Sequence, residues 1–330
     1  MISALKTVLL TLLLLLLVVG SGLAEPIIIK FSHVVGQNTP KGKASEYLKR
    51  LIEQRSNDRI KVEIYADGAL FDDWAVQEAL TKNVVQMAAP SFSKLSGVNP
   101  QLQLFGLPFL FEDIEHLHRV VDGDIGTELL KSSSRNGLFA LAFWDNGFKQ
   151  LTANQKLINP QDAAGLRFRI EGSKVLQAQY AALDATSRTI PFPMLYTALA
   201  KNEVDGQENT LSNIYNEELY RVQSDLTISN HGYLGYLVLT NDSFWSQLPE
   251  DLKVIVRGAL KDATEYIREM AVKLNNDALQ EIRATDAMKI HVLTSTEKEI
   301  WRTKLKGIYT DLHNQISEDL IHKVQEARTK

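Results

Sequence analysis

The chain mixes two hydrophobic periods. Short apolar or alternating runs recur ahead of longer stretches in which apolar residues return every three or four positions. The first pattern belongs to strands, the second to helices buried along one stripe. Ile27–Phe31, after Pro26, reads as a buried first strand, and a helix from Pro40 or Lys41 to about Gln54 carries Ala44, Tyr47, Leu48 and Leu51 on one face. Lys61–Tyr65 is the second strand, which makes a right-handed parallel strand–helix–strand unit. Next come a helix from Trp74 to about Lys82 behind Asp72 and Asp73, and a buried strand over Val84–Ala89 with Ser91 just past its end. A helix from about Asp113 follows. A strand from Gly137 then ends at Phe143 or Trp144, ahead of a turn carrying Lys149.

In the central stretch from Gly165 to Asn213, Leu166, Phe168 and Ile170 alternate with Arg167 and Arg169, which puts both guanidiniums on one face of a strand. Arg169 lies nearer the carboxyl end, where ligands bind in open α/β sheets, and a planar guanidinium can grip a carboxylate in two places. A helix from about Ser173, a proline-broken segment, a second helix and a polar Asp205-Gly206 turn complete this stretch. Ser229–Thr240 reads as a strand in which glycines allow close approach. Pro249 then opens the longest element, with Leu252, Val256, Ala259, Ala263, Ile267, Met270, Leu274, Ala278 and Ile282 in helical register. About 34 residues at about 1.5 Å each make a rod of roughly 50 Å, long enough to lie across two domains. Lys289–Leu293 is a last strand, Thr294 or Ser295 caps a final amphipathic helix, and the tail frays after about Gln325.

Met1–Ala24 has Lys6, an apolar run from Val8 to Val19 and small residues at its end, the layout of a cleavable signal peptide. The run is shorter than the roughly 20 residues that span a bilayer. The chain has no cysteine, so neither disulfides nor a lipidated amino-terminal Cys can form. Cleavage after Ala24 leaves 306 residues with 35 basic and 40 acidic side chains, a formal charge of −5, and this balance, without a basic run, argues against a nucleic-acid partner. No later segment approaches a membrane span, which predicts a soluble protein outside the cytoplasmic membrane.

The motifs of common enzymes are missing: no G-x-S-x-G, no G-x-x-x-x-G-K-[ST], no G-x-G-x-x-G after a strand and no H-E-x-x-H. His116 and His118 are two apart and point to different faces of a helix, so no metal is expected there, and no cofactor is implied. What remains is a set of polar and aromatic residues at strand ends and turns: His33, Ser91, Trp144, Lys149, Arg169 and Asn209. Two permanent cations, a titratable donor, neutral hydrogen-bonding groups and an aromatic wall suit a small organic anion held by charge-assisted hydrogen bonds.

The stretches KFSHVVGQNTPKG, QMAAPSFSKLSG, FGLPFLFED, FWDNGFKQLTAN, GLRFRI, EGSKVLQAQYAAL, VDGQEN, LSNIY and SNHGYLGYLVLTNDSFWSQLP span nearly the whole chain after the signal peptide. In that order they resemble the periplasmic solute-binding subunits of tripartite ATP-independent periplasmic (TRAP) transporters, most closely the four-carbon-dicarboxylate-binding branch called DctP. The resemblance implies a two-domain α/β binding-protein fold with a hinged cleft and a long helix bridging both domains. The domains expected are residues 25–146 with 235–274 and residues 147–234 with 275–330. The resemblance also implies that Arg169 is the carboxylate-binding arginine, that Lys149 reaches the ligand, that Asn209 bonds the same carboxylate and that Phe192 lines the cleft. The implied function is capture of malate, succinate or fumarate by domain closure and delivery to the TRAP membrane subunits. A sugar acid or other monocarboxylate, or presentation of ligand to a sensor kinase, is the alternative, and catalysis is not expected. Thr210 stands where the family usually has Pro, and Pro193 and Met194 where it usually has Ser-Glu.

Overall fold

The computed structural model describes residues 25–328. The signal peptide expected over residues 1–24 lies outside them, as do the last two residues of the tail. In chain order the strands are β1 (Ile27–Ser32), β2 (Ile60–Tyr65), β3 (Met87–Ala88), β4 (Leu138–Phe148), β5 (Gln150–Ala153) and β6 (Arg167–Ile170). They continue as β7 (Thr186–Thr189), β8 (Gly206–Asn209), β9 (Asp225–Ile228), β10 (Tyr233–Asn241) and β11 (Lys289–Val292). They form two mixed sheets, one in the order β2-β1-β3-β10-β4, the other in the order β11-β9-β5-β8-β6-β7. Each sheet with its covering helices makes a lobe, and the fold is α/β.

The chain passes between lobes at three places. β4 belongs to the first sheet and β5 to the second, so Lys149 is the crossing residue. β9 belongs to the second sheet and β10 to the first, which makes residues 229–232 the return crossing. The two crossings run side by side, with Lys149 N donating to Gly232 O at 2.8 Å and Gln150 Nε2 to Asn230 Oδ1 at 2.6 Å. The third crossing is the helix Glu250–Thr285, 36 residues long.

That helix explains its own sequence. Leu252, Val256, Ala259, Leu260, Ala263 and Ile267 pack into the first lobe's core beside Ile29, Phe31 and Leu48. Ala278 and Ile282 pack into the second lobe's core with Leu199 and Leu226. Between Ala271 and Ala278 the fully buried stripe is interrupted; Leu274 is half-buried and Asn275 takes over with polar bonds. Its Nδ2 donates to Asn146 O at 2.7 Å, and its Oδ1 accepts from Ser212 N at 2.9 Å. One side chain thus ties the end of β4 to a helix start in the other lobe.

Asn146 itself is the extra residue of a β-bulge, because Leu234 pairs with Gly147 and Gly235 with Asp145. The bulge aims its amide across the interface, where Nδ2 donates to Tyr236 Oη at 2.6 Å and Oδ1 accepts from Thr210 at 3.1 Å and Ser212 at 3.0 Å. Thr210 therefore supplies an interlobe hydrogen bond that a proline there could not. The carboxyl-terminal helices touch both lobes as well: His116 Nε2 bonds Val324 O at 2.7 Å, and Trp301 Nε1 donates to Ile158 O at 2.7 Å.

Several expected elements differ. The strand predicted over Val84–Ala89 is only Met87–Ala88, since Val84 is exposed and Val85 belongs to a turn after the preceding helix. The strand expected to stop near Trp144 runs on to Phe148, and Lys149 sits between two strands rather than in a turn. The expected Asp-Gly turn leads into a strand at once, with Gly206 and Asn209 both inside β8. The predicted Ser229–Thr240 strand is broken by the crossing, so pairing starts at Tyr233. Strands β5, β7 and β9 were not anticipated, being only four residues each and mostly polar in β7. Among the described residues no helix is long and apolar enough to cross a membrane.

Gly147 holds φ at +145°, and a Cβ there would lie 2.9 Å from Asn275 Nδ2. Gly147→Ala is expected to destabilise the protein by about 1–3 kcal/mol through backbone strain and the disturbed Asn275 bridge. Gly97→Ala, where a Cβ meets nothing within 4 Å, serves as the neutral control. Chemical denaturation of both variants checks this.

Candidate functional site

The cleft is made where strand ends of the two sheets face each other. In the second sheet β6 and β8 run parallel, with Arg169 opposite Gln207. The two-residue period puts Arg169, Gln207 and Asn209 on one face and Phe168 and Glu208 on the other. Arg167 shares the face of Arg169 but lies at the wet end of the strand, where it pairs with Asp205 (Nη2–Oδ1, 2.7 Å). Arg169 is 1% exposed. Its Nε donates to Ile190 O at 2.9 Å, its guanidinium lies 5.8 Å from the centre of the Phe192 ring, and its Nη2 has no hydrogen-bond partner.

Asn209 is equally buried and carries a second unmatched donor. Its Oδ1 accepts from Thr210 N at 3.1 Å and from Asn213 Nδ2 at 2.7 Å. The backbone N–H can only donate, so it fixes which end of the amide is oxygen and leaves Nδ2 as the atom without a partner. Buried donors left unmatched are costly, and more so on a charged group. Arg169 and Asn209 are therefore ready to receive an acceptor.

The first lobe supplies the opposite wall. Ser91 and Ser93 donate across the cleft to Glu171 Oε2 at 2.9 and 2.5 Å. Lys94 and Asp73 form an ion pair at 3.0 Å with both side chains buried. Lys41 donates to Ala89 O at 2.9 Å, with its ammonium 3.7 Å from the centre of the Tyr236 ring. Burial, aided by Lys94, brings the Lys41 pKa down to about 8 against the pull of Asp73. His33 bonds Ser45 Oγ through Nε2 at 3.2 Å, and its Nδ1 has no partner.

Lys149 is buried at the crossing and ion-pairs with Glu208. It fits because residue 232 is glycine: a Cβ there would come within 2.9 Å of Lys149 Cε. Glu208 also accepts from Gln179 (2.8 Å) and Tyr180 (3.1 Å), and bonds His231 (2.9 Å). Burial would raise the Glu208 pKa, but the charge of Lys149 and the bond from His231 outweigh it and hold the carboxyl well below its usual range.

Two cavities meet here. One, of about 10 Å³, is walled by Val34, Val35, Ser91 and Lys94 of the first lobe and by Glu171, Phe192 and Asn213 of the second. The other, also of about 10 Å³, is walled by Ser93, Gln103, Lys149, Glu171 and Ser173 among others. Glu171 and Leu234 line both. The structure thus puts Phe192 and Ser91 on the wall of one cavity and Lys149 on the wall of the next, with Arg169 and Asn209 behind the first wall against Phe192 and Asn213. His33 lines neither cavity and is buried against Ser45. Trp144 lies elsewhere, inside the first lobe's core against Phe31, with Nε1 donating to Thr264 Oγ1 at 3.1 Å. Of the departures in the central stretch other than Thr210, Pro193 lies against Gly68 of the other lobe, 3.1 Å from where a Cβ would be, and Met194 faces solvent.

Glu171, Glu208, Asp73, Lys94 and Lys41 were missed from sequence. Lys41 gave a signal, since it precedes Ala44, Ser45 and Leu48 on the buried stripe of its helix. Asp73 gave none, because a helix-start role explained it; that role belongs to Asp72, whose Oδ1 accepts from Trp74 N at 2.9 Å and Ala75 N at 2.8 Å.

Two lobes joined by three crossings, with unmatched buried donors packed behind the wall of a cavity between them, define a hinged solute-binding protein. The model of the bacterial extracellular solute-binding protein family 7, DctP, matches residues 31–315, and the chain belongs to that family. It is 40% identical over 306 residues, 92% of each chain, to the C4-dicarboxylate-binding periplasmic protein DctP of Rhodobacter capsulatus. Its structure is similar, at a TM-score of 0.90 and 39% identity over 92% of this chain and 100% of the other, to a TRAP periplasmic solute-binding protein of Shewanella oneidensis with bound succinate. A second such protein, from Sulfurospirillum deleyianum DSM 6946 and also with bound succinate, matches at a TM-score of 0.89 and 42% identity over 92% and 100% of the two chains.

Burial, with the charge of Lys41, presses the His33 pKa down to about 3, against the opposing pull of Asp73 and the Val35 backbone. The unfolded chain binds this proton at about 6.5, so the stabilising contribution is complete above that pH and is lost as pH falls towards 3. Between pH 7 and 5 this one group should remove about 2 kcal/mol. Urea titrations at both values should show a smaller acid loss for His33→Asn; an unchanged loss would contradict the assignment.

Proposed function

We propose that the protein captures a four-carbon dicarboxylate in the periplasm by closure of the two lobes and delivers it to TRAP permease subunits. The observation that carries the reading is the pair of buried, unmatched donors, Arg169 Nη2 and Asn209 Nδ2, on side chains packed directly behind Phe192 and Asn213 of the interlobe cavity wall. A carboxylate accepting from both completes them, each charge-assisted bond being worth about 1.5–3 kcal/mol. The second carboxylate goes to Lys149, whose ammonium has three donors, of which Glu208 takes one. Phe192 supplies the apolar floor, and Ser91 meets the ligand side from the first lobe. The succinate bound by similar proteins supports the size and charge of this ligand.

The crossings at Lys149, at residues 229–232 and near Asn275 act as the hinge. A ligand held by groups of both lobes favours the closed form by its differential affinity for it, and closure presents the surface that the permease recognises. The ligand leaves unchanged.

At about 100 times its dissociation constant, ligand should add about 2.7 kcal/mol of stability. Thermal-shift panels with succinate, L-malate, fumarate and galactonate should therefore show shifts for four-carbon acids, and Arg169→Ala should abolish them. A shift with galactonate alone, or full binding by Arg169→Ala, would overturn the reading.

A further inference from the structure

Capture of a dianion leaves one residue unexplained. Glu171 directly follows β6, is 5% exposed and lines both cavities. A carboxylate inside a carboxylate site repels its ligand, so its presence requires a compensating contact. One oxygen, Oε2, is used by the hydroxyls of Ser91 and Ser93. The other, Oε1, has no hydrogen-bond partner among the described residues, and it is not among the unpartnered atoms that protein seals in. Burial would raise the Glu171 pKa, but the charges of Lys94, Arg169 and Lys149 outweigh it, so the group is an anion and purely an acceptor at neutral pH.

Position decides what it accepts from. The cavity beside Phe192 and Asn213 and the cavity beside Lys149 are the two ends of the proposed binding site, and Glu171 is part of the wall they share. A four-carbon acid with one carboxylate at each end passes Glu171 with its middle carbons. We infer that Glu171 Oε1 accepts a hydrogen bond from a donor on the ligand's second carbon, so that the protein selects 2-hydroxy or 2-amino four-carbon dicarboxylates over unsubstituted ones. An unsubstituted chain would set methylenes against a desolvated carboxylate oxygen, and a site built to bond a substrate O–H or N–H rejects the analogue that lacks it. This inference rests on the dicarboxylate reading above and names its substrate class.

Isothermal titration with succinate, L-malate and L-aspartate tests it. Wild-type protein should bind L-malate or L-aspartate about tenfold or more tightly than succinate, and which of the two gains identifies a hydroxyl or an ammonium as the donor. In Glu171→Gln, which keeps the side chain's size and an oxygen for the serines, the ratio should fall to within about threefold through tighter succinate binding. Ser93→Ala, which loosens the hold on Oε2, should lower the ratio part of the way. Equal wild-type affinities overturn the inference while leaving the dicarboxylate reading standing, as does a ratio unchanged in Glu171→Gln. If that variant does not fold, the wild-type ratio and Ser93→Ala decide. Failure of all three acids to bind overturns the dicarboxylate reading, and this inference with it.

Discussion

A guanidinium removed from water keeps its charge and its five donors, and the protein around it must either match them or leave them for something else. Around Arg169 the match is incomplete. Ile190 takes Nε, the Phe192 ring lies 5.8 Å from the guanidinium, and Nη2 is left buried without a partner behind the wall of a cavity between two lobes. Nearby charges do not complete it: Lys94 has Asp73 and Lys149 has Glu208, so those cations are neutralised within the protein. The buried interior here holds four cations, Lys41, Lys94, Lys149 and Arg169, against three anions, Asp73, Glu171 and Glu208. That excess of one positive charge favours an anionic ligand, and this constraint shapes the rest of the site.

Holding such a charge in place takes a rigid support that can still open. The bulge at Asn146 and the amide of Asn275 join the lobes through hydrogen bonds, beside a buried apolar cluster that holds Phe105 and Leu237 of one lobe with Leu151 and Phe168 of the other. Such bonds can be exchanged for bonds to water at small net cost, whereas opening an apolar seam would expose area at about 25 cal/mol per Å². The long helix meanwhile keeps its apolar stripe in each lobe's core and turns polar at the crossing, so it anchors both bodies without welding them.

Much of this was legible in the amino-acid pattern. The long helix, the early strand–helix–strand unit and the alternation around Arg169 rest on strong periodicity, and the family resemblance chose Arg169 over Arg167. The structure adds the physical reason: the same face is wet at Arg167 and sealed at Arg169. The short strands β5, β7 and β9 escaped because four residues carry too little periodicity, and their pairing is set by partners far away in sequence. The buried acids escaped for a different reason. Glu208 lies in a run of polar residues, VDGQEN, that looks like a solvated turn until Lys149, Gln179, Tyr180 and His231 converge on it. Trp144 was drawn to the cleft by its place near a strand end, yet the strand continues and the indole turns into the core.

The central claim is that a ligand carboxylate completes Arg169. A crystal structure of the protein grown with a four-carbon dicarboxylate addresses it directly. The account predicts one carboxylate accepting from Arg169 Nη2 and Asn209 Nδ2 at about 2.7–3.2 Å, with Glu208 still paired to Lys149. A ligand carboxylate seated elsewhere, with Arg169 Nη2 still unmatched, would contradict it.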